Sequence, residues 1–170
     1  MLYIDNCNVF CAGIIMAYIV PNQASKQIVD NNLITCGKGK DFEKLRDAIS
    51  AGMKVRNAQI LVYPGVYDLC NEFQEEIRLE DGIVGNAIGN GIDIKFLPGA
   101  KVKAVFEQTD DWIYESFQPF YSVGGDYVLN GLYIEAENCR YCVRDDMWGE
   151  GEYNHKYLNC KMIFTNTYRA

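Results

Sequence analysis

This sequence predicts an all-β fold, a parallel β-solenoid with one short helix near its start. Three observations carry that prediction: the composition, a single helical stretch followed only by strand signals, and an internal repeat. Twelve Tyr, eight Phe, two Trp and fifteen Gly stand beside four Pro, a mixture that favours strands and tight turns over a helical bundle. With 170 residues, 49% of them hydrophobic and 23% charged, the chain suits one packed domain and is too apolar to be disordered.

Residues 1–33 read as a leader with no assigned element, and residues 34–170 as the first turns of the solenoid, incomplete at the C-terminal end. Two glycines in Gly37-Lys38-Gly39-Lys40 mark a turn. From Asp41 to Met53 the apolar residues Phe42, Leu45, Ile49 and Met53 recur at helical spacing, with Asp41 placed to cap the first turn. Gln59–Tyr63, Ile92–Leu97, Lys101–Phe106, Tyr127–Glu137 and Tyr157–Thr165 then alternate as strands between Gly, Asn and Asp turns.

Ile60-Leu61-Val62-Tyr63-Pro64-Gly65 matches Ile94-Lys95-Phe96-Leu97-Pro98-Gly99. Moving Gly131–Asn138 forward by 28 residues lays Leu132 on Cys160, Ile134 on Met162, Ala136 on Phe164 and Asn138 on Asn166. Gly131 then falls on Asn159, and these are the residue types that most easily take the left-handed conformation of a corner. Strands joined by such corners at a period of roughly 20–40 residues describe a solenoid. Its open end needs a cap, and the 41–53 helix is placed to supply the N-terminal one.

Sixteen Lys and Arg against 23 Asp and Glu give a net charge of −7, with no basic run, which argues against nucleic acid as a partner. The apolar run Val9–Val20 is shorter than the ~18 residues of a membrane span. It also lacks the basic start of a signal peptide, because Asp5 comes first and no Lys or Arg precedes Lys26. No membrane insertion is expected. Seven cysteines are an odd number without framework spacing, so reduced thiols made in the cytosol are expected.

The stretch Gly37-Lys38-Gly39-Lys40-Asp41-Phe42, the helix residues Leu45 and Ala48-Ile49, and Ile60–Tyr67, reading ILVYPGVY, resemble the N-terminal signature of the pectate-lyase-like superfamily. Residues 120–142, with Gly125-Asp126-Tyr127-Val128 leading to Gly131-Leu132, resemble its interior turns. The resemblance covers about residues 34–166 and implies a right-handed parallel β-helix with an N-terminal capping helix. It implies a polysaccharide ligand, in a superfamily that holds lyases, esterases, hydrolases and bacteriophage tail-fibre or tailspike proteins. Pectin methylesterases carry a catalytic Asp in a Q-D-T segment, but the corresponding stretch here, Phe164-Thr165-Asn166-Thr167, has no acid. Two readings therefore stand: a glycan-recognition module, phage-like, on a virion or extracellular surface and forming a homo-oligomer (a trimer) or part of a longer chain; or a secreted polysaccharide-degrading enzyme.

Strand alternation places Tyr127, Tyr133, Glu135 and Glu137 on the outer surface, with His155 beside Tyr127 and Lys161 beside Tyr133. Aromatic rings and carboxylates suit sugars, so Tyr127, Tyr133, Glu137, His155 and Trp148 are the expected ligand-binding residues. Glycoside hydrolysis needs two carboxyl groups, for which Asp145, Asp146 and Glu135 are the candidates, although a solvated acidic loop is the more ordinary reading of the Asp145-Asp146 and Asp110-Asp111 pairs. No cofactor is expected. A Ca2+ site on Asp145, Asp146 and loop carbonyls is the chemical alternative. The spacing Cys139-x2-Cys142-x12-His155-x4-Cys160 resembles a zinc finger, but Cys160 and His155 have opposite strand parity, so the cysteines read as structural.

Overall fold

A computed structural model describes residues 32–74, 84–106, 117–145 and 152–166. The chain divides after Asn31, and every described residue falls in the unit Asn32–Ala170. The apolar run 9–20 lies outside the described residues.

The described elements, in chain order, are β1 (Leu33–Cys36), α1 (Leu45–Gly52), β2 (Gln59–Val62), β3 (Gly65–Asp68), α2 (Leu69–Glu72), β4 (Val84–Ile88) and β5 (Ile92–Phe96). They continue with β6 (Ala100–Val105), β7 (Phe117–Ser122), β8 (Tyr127–Asn130), β9 (Tyr133–Glu137), β10 (Val143–Arg144), β11 (His155–Leu158) and β12 (Lys161–Thr165). Sheet A has the order β1-β2-β5-β8-β11, sheet B the order β3-β6-β9-β12, and sheet C the order β4-β7-β10. Every pairing among the described residues is parallel. Parallel neighbours need a crossover between them, and here the other sheets provide it: from β2 onward the chain visits A, B and C in turn. The mostly β, helix-poor architecture expected from composition is present.

Both sequence repeats are pairing registers. Ile60 lies against Ile94 and Val62 against Phe96, while Ile134 lies against Met162 and Ala136 against Phe164. Side chains then stack like on like. On β6, Ala100, Val102 and Ala104 are buried while Lys101, Lys103 and Val105 are exposed, the period-2 alternation of a strand with one face in a core. One apolar cluster takes Ile60, Ile94 and Leu129 from sheet A, Val102 and Ile134 from sheet B, Ile88 and Phe120 from sheet C, and Leu45 and Ile49 from α1. Each such fully buried aliphatic or aromatic side chain contributes roughly 1.5–3 kcal/mol.

Two stretches expected as continuous strands are each broken by a corner. Residues 127–137 split into β8 and β9 at Gly131-Leu132, and 157–165 fall into β11 and β12 about Asn159-Cys160. Gly131 sits at φ 77°, and a Cβ there would come 2.5 Å from the Phe96 carbonyl oxygen, so the corner requires glycine on both counts. Asn159, its counterpart, takes φ 53°. The corner also resets the alternation: the inward residues of β8 are Tyr127 and Leu129, those of β9 Ile134 and Ala136. Tyr127 is therefore buried, 1% exposed, and the expectation that it faces outward is corrected. At the next corner Asn166 Nδ2 donates to Asn138 Oδ1 at 2.8 Å, and Asn138 Nδ2 to the Phe106 carbonyl at 2.7 Å. The offset of 28 placed those two amides together.

The helix is shorter than its apolar spacing suggests, and Asp41 does not cap it. Asp41 Oδ2 instead accepts from the Thr35 backbone N–H at 2.9 Å and from Thr35 Oγ1 at 2.6 Å. The cap comes from α2: Glu72 Oε1 accepts from Leu45 N at 3.1 Å and Oε2 from Arg46 N at 2.7 Å. These satisfy two of the first-turn N–H groups that a helix leaves unpaired. Burial pushes the Glu72 carboxyl above its ordinary 4.5, against the pull of those two N–H groups. The folded chain therefore holds this proton more tightly than the unfolded chain does. Stability should accordingly fall as pH rises from about 4.5 through the folded pKa, a decline that Glu72→Gln lacks. Urea unfolding of both proteins between pH 4 and 7 checks this, and parallel profiles would sink it.

Candidate functional site

Two groups of side chains collect most of the described candidates. The first lies on the exposed face of sheet B. Each strand there turns alternate residues outward, and the parallel register lines them up in rows across the sheet. Val66 pairs with Lys101, and Tyr133 with Lys161. The Tyr133 ring has Lys101 Nζ 5.6 Å and Lys161 Nζ 5.3 Å from its centroid, within cation–π range. The next row runs from Asp68 through Lys103 and Glu135 to Ile163, and a third places Glu137 against Val105 and Thr165. Tyr133 donates its phenol proton to Glu135 Oε1 at 2.6 Å. That bond to a carboxylate pushes the exposed phenol's pKa up. Val66 (63% exposed), Val105 and Ile163 add aliphatic surface to the same wall.

The second group joins the last strands of sheets A and C. His155, on β11, stacks on Tyr127 of β8 with ring centroids 4.2 Å apart and planes 20° from parallel, as their shared register requires. Its Nδ1 meets Asp145 Oδ1, just past β10, and its Nε2 lies 3.2 Å from the Gly125 carbonyl. Tyr157 donates to Asp145 Oδ2 at 3.1 Å, which leaves Tyr127 to donate to the Tyr157 oxygen. Burial pushes Tyr157 up to about 12, with the Asp145 carboxylate adding to it and the Tyr127 hydrogen bond opposing it. Burial and the bond to Tyr157 raise Tyr127 as well. Both phenols are thus neutral donors, and the one carboxylate in the group, Asp145, accepts from two directions. Among the described residues this group holds a single carboxylate, so it is not by itself the carboxyl pair that glycoside hydrolysis uses.

The structure thus brings Tyr127, His155 and Asp145 together, and brings Tyr133 to Glu135 on a different wall. Glu137 lies one row from Glu135 on that same wall. Asp146, Trp148, Glu150 and the stretch Asp110-Asp111-Trp112 lie outside the described residues, so the expected Asp145–Asp146 pair is described only in its first member. Tyr157, Lys101 and Lys103 were missed. The 28-residue offset held the signal for Tyr157, since it falls on Leu129, next but one to Tyr127. Lys101 needed the 32-residue offset between β6 and β9, which no repeated motif announces. The opposite parity assigned to His155 and Cys160 is also corrected. His155 sits on the inward side with Tyr127, and Cys160 packs against the same core, because Asn159 resets the alternation between them.

Among the described residues no three His, Cys, Asp or Glu side chains gather as metal ligands. The described cysteines are free thiols, and burial pushes Cys139 and Cys142 up to about 12. No described helix is long and apolar enough to cross a membrane. In comparisons with family models, curated proteins and solved structures, nothing matches this chain.

Proposed function

We propose that the chain is part of a right-handed parallel β-helix that recognises surface polysaccharide, in the manner of a phage tail-fibre or tailspike module on a virion or extracellular surface. The ordered visits to three parallel sheets and the stacked Asn corners support the solenoid. The sequence resemblance supports its hand. One observation carries the ligand: the outer wall of sheet B sets an aromatic ring, three carboxylates and three ammonium groups among exposed aliphatic side chains, in rows whose neighbours lie one strand apart. Sugars offer apolar ring faces and many hydroxyls, and such a wall answers both. In this reading a trimer partner or further turns cover β11 and β12, where Tyr157, Leu158, Ile163 and Phe164 are exposed.

Replacing Tyr133 and Glu135 together with Ala should weaken glycan binding by at least about tenfold, the size of effect expected for central contact residues. Both side chains are outward, so unfolding free energy should change by less than about 0.5 kcal/mol per site. Binding measured on immobilised bacterial and plant polysaccharides, with denaturant unfolding alongside, tests this. Unchanged affinity removes the wall from consideration. The secreted-enzyme reading would instead draw on Asp145, held by His155 and Tyr157, and predicts shortened or unsaturated products from the same polysaccharides.

A further inference from the structure

Both ring nitrogens of His155 face oxygen. Nδ1 meets Asp145 Oδ1, on the segment just past β10, and Nε2 lies 3.2 Å from the Gly125 carbonyl, in the turn that leads into β8. Neither oxygen has a proton to give. Asp145 is a carboxylate that already accepts from Tyr157 through Oδ2, and a carbonyl only accepts. A neutral imidazole carries one N–H, so it can serve one of these oxygens and must turn a lone pair toward the other. The imidazolium carries two and serves both.

The surroundings suit a cation. The ring stacks on Tyr127 with centroids 4.2 Å apart and lies nearly parallel to Tyr153, 6.4 Å away and 7° from coplanar orientation, and the face of an aromatic ring attracts positive charge. The titratable groups that face it are Asp145 from the end of β10, Tyr127 from β8, Tyr153 ahead of β11 and Tyr157 within it. Asp126, next to Gly125, adds a second carboxylate nearby and accepts from Asn154 N at 2.7 Å. The His155 side chain is only 9% exposed, so little water screens these charges.

We propose that His155 is a proton-operated latch: as an imidazolium it ties β11 both to the turn before β8 and to the end of sheet C, and on losing its proton it gives up one of the two ties. A contact made only by the protonated form is lost as pH rises, so the strand is fastened more firmly in mild acid than in mild alkali. Tyr157 and Leu158 lie exposed on that strand, and the latch therefore governs the surface this edge offers. It is independent of the sheet B wall and of what that wall binds.

His155 is the only histidine in the sequence, so NMR of its ring nitrogens in the full chain is unambiguous. Expected is a ring protonated on both nitrogens at about pH 5.5 and on one at about pH 8.5, a span that covers ordinary histidine titration. The attachment of β11 is read in the same samples from hydrogen-exchange protection of the Tyr127 and Gly131 N–H groups, which donate across the seam to the Asn154 and Leu158 carbonyls at 3.2 and 2.8 Å. Their protection should fall about tenfold over that span, the size of one lost charge-assisted hydrogen bond. The reference is the Asp93 and Leu97 N–H groups, which donate to Ala58 and Val62 across the β2–β5 seam and report any change in the whole fold. His155→Gln, which has no proton to lose, should abolish the difference between the seams, and Asp145→Asn should reduce it. A ring with a single N–H at the acid end overturns the latch. So does a β8–β11 seam that keeps pace with the β2–β5 seam, or an undiminished difference in either variant.

Discussion

Phe117→Ala should destabilise the fold by about 3–5 kcal/mol, the range for emptying a packed aromatic site. Phe117 is 1% exposed. Its ring lies 4.7 Å from Phe106 and 5.8 Å from Phe73, edge-on to both, the geometry in which aromatic pairs gain beyond area burial. Phe106 follows β6, Phe73 follows α2, and Phe117 opens β7, so one side chain joins parts of the chain that share no strand pairing. Phe117→Leu, which keeps most of the volume, should cost no more than about 1.5 kcal/mol. Denaturant unfolding of both variants measures the difference, and a loss under 1 kcal/mol for the alanine variant would show that the cluster is loosely packed.

Gly85→Ala is expected to cost on the order of 3 kcal/mol, the upper end for a strained backbone position. Gly85 has φ 145°, and a Cβ there would sit 1.7 Å from the backbone oxygen of Gln118. That obstacle is main chain, so no rotamer change relieves it, and β4 must draw away from β7. The pairing is already irregular there, shifting register between Gly85 and Asn86. The skipped residue is Pro119, which has no N–H to give the ladder and whose carbonyl accepts from Asn86 Nδ2 at 2.9 Å. Gly65→Ala, where the nearest atom to a new Cβ is 3.8 Å away, should change stability by less than about 1 kcal/mol. Thermal unfolding of the two variants side by side separates steric conflict from the loss of glycine as such. Equal midpoints would contradict it.

The same pair of residues explains what the sequence hid. A glycine in β4 and a proline in β7 are strand-breaking signals, and here they mark a bulge inside two real strands. β1, β3 and β10 are four, four and two residues long, too short for alternation to register. The paired repeats were legible because Ile60 over Ile94 and Ile134 over Met162 preserve bulk at a fixed offset. The Asn138–Asn166 contact was legible for the same reason. The Glu72 cap of α1 was not, because it spans 26 and 27 residues with no motif at either end. In the candidate site, Tyr133 beside Lys161 and Tyr127 beside His155 followed from register alone. Which way Tyr127 pointed did not, since that depends on the corner at Gly131 and not on the strand.

The corners have a consequence for how errors spread. A sheet whose strands run on without interruption passes a one-residue slip to everything downstream, turning a whole face from core to solvent. In this chain sheets A and B are joined by connections of two or three residues that carry no pleat across, from Tyr63-Pro64 to Asn159-Cys160. Each strand thus sets its own phase afresh against the strand beside it. A slip or an inserted residue stays within four to six positions, and its neighbours on the next wall keep their facing. The chain behaves less like a single ribbon than like a set of short, separately indexed teeth, which lets a wall exchange its outward residues without disturbing the order inside.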